Sequence, residues 1–275
     1  MVSRVHVAYY YGRARGSTQC TKEIGDYTKA IQLNPQDEKA YYCRGFVYAA
    51  NGQYTLAIAD YTIAMQLNPQ DENPYNDRGI AYIRLAQYTN AIADETKAVQ
   101  LKPQDTNPYV NRGLAFWELN QNTQAIADET RAIQLDPQDV YAYNTRGGIY
   151  GDQGEYGEAI ADFNKAIQIN PLYEHAYCNR GLMYYRLKQY AQAIADETMA
   201  INLDSQYEVA YYNRGNDYLD QKQYAQAIAD FSKAIQLDPQ DANAYNYRGL
   251  AYQQLGQQSQ ADTDFQKYKE LLSTP

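Results

Sequence analysis

Residues 136–169 read DPQDVYAYNTRGGIYGDQGEYGEAIADFNKAIQI, and this stretch decides the architecture. Pro137 cannot continue a preceding helix, because it lacks the N–H and restricts the residue before it. Asp139 follows at the place where a helix N-cap is wanted. The segment from Val140 to Gly154 then carries aromatic and small residues at helical spacing. After the turn, YGEAIADFNKAIQI is a second amphipathic helix of similar length. The stretch therefore predicts two antiparallel helices, A and B, joined by a short turn, and strand alternation is absent.

The same text recurs at a spacing of 34 residues, giving units 34–67, 68–101, 102–135, 136–169, 170–203, 204–237 and 238–271. Residues 21–33 match helix B of one more unit. Its first half is degraded, so residues 1–33 form an incomplete N-terminal repeat and 272–275 a tail. Seven tyrosines from Tyr41 to Tyr245 open the A helices, and seven glycines from Gly45 to Gly249 follow one turn later on the same face. Glycine costs about 1 kcal/mol relative to alanine inside a helix. Its recurrence predicts close approach of a neighbouring element at every unit. Much of the chain's content of 31 tyrosines is thus helix-pair packing copied along the chain.

The order aromatic, small, aromatic, Ala, aromatic, Ala, Pro at this period resembles the tetratricopeptide (TPR) repeat family over residues 21–271. The resemblance implies an all-α fold, a right-handed superhelical solenoid of antiparallel helix pairs with the A helices on the concave side.

Three departures from that pattern carry expectations. An arginine precedes each glycine (Arg44, Arg78, Arg112, Arg146, Arg180, Arg214, Arg248), and an aspartate stands sixteen residues later (Asp60 to Asp264), with Asp26 as the equivalent in the partial unit. This spacing predicts an Arg–Asp ladder at the A–B seam, within or between adjacent units; a recurrent charged ligand site is the other reading. Glu95, Glu129 and Glu197 replace an aromatic in helix B and are expected to join the ladder or lie at a solvated edge. In the last unit Asp262 and Lys269 replace apolar residues of earlier B helices, as expected of a C-terminal cap.

The A-helix positions that the repeat does not need are the candidate site. They are rich in asparagine, a poor helix-interior residue that can donate and accept together. Asn76, Asn107, Asn111, Asn144, Asn179 and Asn213 are candidate grips on a peptide backbone, with Tyr185, Tyr212, Tyr247 and Trp117 beside them. Trp117, the single tryptophan, is the candidate apolar anchor; packing against a neighbouring A helix is the alternative. Gly148 and Gly151 either admit a ligand backbone or loosen the stack. The carboxylate clamp of chaperone-tail-binding family members would require arginine in columns that here contain none, so that role is not expected.

The net charge of −9 argues against nucleic-acid binding and fits a neutral or basic protein or peptide partner. Three cysteines and two histidines are too few and too scattered for a zinc site or disulfide framework. They fit free thiols in a reducing, cytoplasmic setting. No secretory leader pattern and no membrane-length apolar run is present. No nucleophile–base pair, phosphate loop or metal cluster is seen, so neither enzyme activity nor a cofactor is expected. The leading expectation is a non-catalytic interaction scaffold that binds an extended peptide or partner helix in the concave groove. The alternative is a self-associating assembly protein whose groove or N-terminal end is filled by its own chain or a second copy, including a homodimer through the N-terminal end around Tyr9–Tyr11.

Overall fold

The computed structural model describes residues 17–273. These contain fifteen α-helices and no strand, and they fall into two compact units, 17–149 and 150–273. The first unit contains α1 (Ser17–Leu33), α2 (Glu38–Ala50), α3 (Tyr54–Leu67), α4 (Asn73–Arg84), α5 (Tyr88–Leu101), α6 (Asn107–Glu118), α7 (Asn122–Leu135) and most of α8 (Val140–Asp152). The second takes the end of α8, then α9 (Tyr156–Ile169), α10 (Glu174–Arg186), α11 (Tyr190–Leu203), α12 (Glu208–Asp220), α13 (Tyr224–Leu237), α14 (Ala242–Gln254) and α15 (Gln258–Ser273). Within each unit a helix packs on the one before and the one after it. Alternate helices also touch, as α2 with α4 and α12 with α14. This is tandem antiparallel pairing.

The junctions work as the sequence predicts. Asp37 Oδ1 accepts from the Ala40 amide, Asp139 Oδ1 from Tyr141 and Ala142, and Asp241 Oδ1 from Asn243. Pro74 and Pro108 shift the starts of α4 and α6 by a residue, yet Asp71 and Asp105 still accept from the Asn73 and Asn107 amides. The A–B turns need a left-handed residue. Gly52, Gly154 and Gly256 supply it with φ of 74°, 80° and 73°. Elsewhere Ala86, Asn120, Lys188 and Lys222 adopt φ between 55° and 61° and carry the strain that glycine avoids.

The alanine column of the B helices, including Ala57, Ala91, Ala125, Ala159, Ala193, Ala227 and Ala261, is fully buried. The glycine column explains itself by contact. A Cβ on Gly215 would stand 2.8 Å from the Phe231 ring, and one on Gly249 2.8 Å from Phe265. Gly45 faces Tyr61 in the same way. Gly151 does not open a path for a ligand backbone, because Met183 Sδ would lie 2.7 Å from its Cβ. Asp262 and Lys269 are both exposed. The homodimer contact expected around Tyr9–Tyr11 lies outside the described residues.

Candidate ligand-binding face of the A helices

The arginine column forms a structural seam. Arg44, Arg78, Arg112, Arg180, Arg214 and Arg248 each make two parallel bonds, Nε and Nη2 to the two carboxylate oxygens of Asp60, Asp94, Asp128, Asp196, Asp230 and Asp264, all at 2.7–2.8 Å. The remaining Nη1 reaches back to the preceding B helix. Arg44 donates to Thr28, Arg78 to Thr62, Arg112 to Thr96, Arg146 to Thr130, Arg180 to Asn164, Arg214 to Thr198 and Arg248 to Ser232. Tyrosine rings flank the guanidinium, for example Tyr245 and Tyr252 at 5.6 and 5.9 Å from Arg248. The aspartate holds each of these six arginines above its ordinary pKa range, against the opposing effect of burial. A guanidinium committed on three nitrogens and flanked by rings has little left for a ligand, so the ladder holds helices together. Asp26 is exposed, and the residues expected to face it lie outside the described residues.

Glu95, Glu129 and Glu197 do not face solvent, and Asn213 rather than an arginine donates to Glu197. All three are fully buried, each lying over the glycine of the facing A helix (Gly79, Gly113 and Gly181). A carboxylate of that size fits the space of the aromatic ring it replaces. Burial is the main cause that raises the pKa of Glu95 and Glu197 well above the usual carboxylate range.

The ten candidate residues separate by exposure. Asn111, Asn144, Asn179 and Trp117 are buried, Trp117 to 1 % exposure. The tryptophan presents almost no surface in this arrangement, which fits the packing alternative. Asn107 is exposed, and Asn76, Tyr185, Tyr212, Asn213 and Tyr247 are half-buried. Asn111 Nδ2 donates to Asn76 Oδ1 at 3.0 Å, linking two of the amides across α6 and α4.

In the unit 150–273 the structure brings four of these residues together. Tyr185, Tyr212, Asn213 and Tyr247 line one cavity of about 470 Å³ between the A helices α10, α12 and α14. Tyr212 and Tyr247 meet edge to face at 5.9 Å. Asn213 Nδ2 points at Glu197 Oε1 (3.3 Å) and Cys178 Sγ (3.4 Å). The sequence reading missed the acidic part of the wall: Glu197, Glu208, Asp217, Asp238 and Asp241. Asp217 is 1 % exposed. Burial, reinforced by Asp220, pushes its pKa up to about 8; burial with Asp241 and Asp238 pushes Glu208 to about 7. A sequence signal existed. Asp217 and Asn216 stand where the other units have Val47, Ala81, Ala115, Ile149, Met183, Ala251 and Phe46, Ile80, Leu114, Gly148, Leu182, Leu250.

Family models for the TPR repeat match residues 147–188 and 215–256, and models for the tetratricopeptide repeat match 26–59, 73–105, 107–139 and 174–207. The chain belongs to the tetratricopeptide repeat family. Its fold class is the all-α superhelical repeat of helix pairs, and solved TPR structures agree. A tetratricopeptide repeat protein from Parabacteroides merdae is 20 % identical, with a TM-score of 0.67 over 90 % of this chain and 93 % of that one. The APC/C Cut9–Hcn1 structure matches at 18 % identity and a TM-score of 0.74 over 86 % of this chain. This TPR chain spans 46 % of that one, under half its length. YrrB, described as a TPR protein with an unusual peptide-binding site, is 23 % identical, with a TM-score of 0.52 over 67 % of this chain and 95 % of that one. A search of curated proteins returned no match. Among the described residues no helix is long and apolar enough to cross a membrane, and no three His, Cys, Asp or Glu side chains converge to hold a metal ion.

Proposed function

We propose that this TPR protein is a non-catalytic scaffold that binds an extended peptide or a partner helix along the groove face of its A helices. Family membership supports a protein–protein interaction scaffold in general terms. One observation carries the finer reading: four residues expected to grip a ligand from sequence alone, Tyr185, Tyr212, Asn213 and Tyr247, line a single cavity on α10, α12 and α14. Concave, aromatic-walled cavities with a few convergent polar groups are where peptides and small ligands are held. The asparagines serve the peptide backbone and the rings serve side chains. Asn76 and Asn107 extend the same chemistry in the unit 17–149, whereas Asn111, Asn144 and Asn179 support their neighbours. The repeat register proposed for this surface is the one read from the sequence, with units from 34–67 to 238–271.

The test is selection of a random-sequence peptide library against the full chain, followed by NMR mapping of the bound peptides. Amide shifts concentrated on α10, α12 and α14 are expected. A library that yields no binder, or shifts confined to the B helices, would overturn the groove reading.

A further inference from the structure

The cavity on α10, α12 and α14 carries more carboxyl groups than the fold uses, and a cation entering it favours their ionised form. Asp217 occupies a position that is apolar or small in every other unit, so helix packing does not ask for a carboxylate there. Its Oδ1 and the Oε2 of Glu197 are buried with no hydrogen-bond partner, and both side chains line the cavity. Buried oxygens left in this state are costly, and a native structure that keeps them has a reason to do so. Glu208, Asp238 and Asp241 add charge around the mouth. Among the described residues the one cation on the wall is Arg186, which is exposed at the end of α10. Tyr185, Tyr212 and Tyr247 supply ring surface to the same space.

We propose that this cavity is a binding site for a cationic side chain, arginine or lysine, presented by a peptide segment of a partner protein. The proposal rests on the groove reading above and names its anchor. An organic cation fits better than a metal, since no three candidate ligands converge among the described residues. A volume of about 470 Å³ accommodates a long side chain with part of its backbone. Guanidinium adds a planar fork that two carboxylates can share and a face that tyrosine rings can stack on. Asn213 stands one helical turn before Asp217 and Asn216 directly before it, and both line the cavity where they can meet the flanking peptide groups.

The probe is arginine amide, titrated into the full chain and followed by amide NMR, with citrulline amide as the neutral control of nearly the same shape. Saturable shifts on α11 and α12 are expected with arginine amide and none with citrulline amide. Asp217→Asn should weaken binding at least tenfold. Asp217→Ala, the residue type of three other units, should do the same, so a loss caused by misfolding is separated from a loss of charge. Equal binding of citrulline amide, or an unchanged Kd in Asp217→Asn, would overturn the proposal. The chain's own first residues carry Arg4, Arg13 and Arg15. If changing these three to glutamine in the full chain tightens arginine amide binding tenfold, the occupant is the chain itself and the partner is not. Library peptides that bind this face without a fixed arginine or lysine, and survive Asp217→Asn, would sink the anchor and leave the groove reading intact. A library that selects nothing while arginine amide binds would sink the groove reading and the peptide source with it.

Discussion

Asp230 on α13 and Asp217 on α12 belong to one helix pair, and both are nearly buried. Asp230 has both oxygens on Arg214 at 2.7 and 2.8 Å. Asp217 keeps an oxygen with no partner, and its neighbours are further acids. Burial strips water from both carboxylates, at a free-energy cost. Only the first recovers it inside the fold, through a charge-assisted bidentate pair. The seam repeats because helix pairing needs it in every unit, while the cavity is a single departure, and single departures in a repeat are where specific function can be sought.

The sharpest way to break the comparison is to remove the arginine. Arg214→Ala leaves Asp230 buried and unpaired, and the loss should be about 3 kcal/mol of unfolding free energy by urea titration. A loss under ~1 kcal/mol would mean that the seam contributes little. The opposite sign is expected at the cavity. Asp217→Ala removes an unsatisfied carboxylate and should raise stability by roughly 1–2 kcal/mol at pH 8. The pH dependence follows in sign. Asp217 has a folded-state pKa of about 8, above its ordinary 3.8, so the unfolded chain releases this proton first. Between about pH 4 and pH 8 the folded state binds more protons, and stability falls as pH rises. Glu208, shifted to about 7, contributes in the same direction. Thermal unfolding should give a higher Tm at pH 5 than at pH 8 in wild type, and a smaller difference in Asp217→Ala. A smaller effect lies at the junction. Asp241→Ala removes the cap on the Asn243 amide and should cost about 1 kcal/mol, measured by the same titration.

The helices and seam were legible because their causes are local or strictly periodic. Proline and aspartate at each junction act within one turn of chain, and an arginine and an aspartate sixteen residues apart recur until chance is excluded. The buried glutamates were misjudged because a carboxylate in an aromatic position is read from polarity, whereas its depth is set by the glycine opposite. Trp117 is buried for the converse reason, since an apolar side chain at a position the repeat does not require can still be covered. Asp217 was overlooked although the column of Val47, Ala81, Ala115, Ile149, Met183 and Ala251 marks it as foreign. It becomes legible when each column is asked which member breaks it, rather than which type fills it.

The third bond of each arginine has a consequence for how the protein comes apart. Arg214 grips its own pair through Asp230 and the previous pair through Thr198, and Arg248 does the same through Asp264 and Ser232. No helix pair in this series can detach without robbing its neighbour of a clasp. Fraying at an end is therefore contagious over more than one pair. Amide hydrogen exchange in the unit 150–273 should proceed in blocks larger than a single hairpin, with the arginines as the rivets that set the block size.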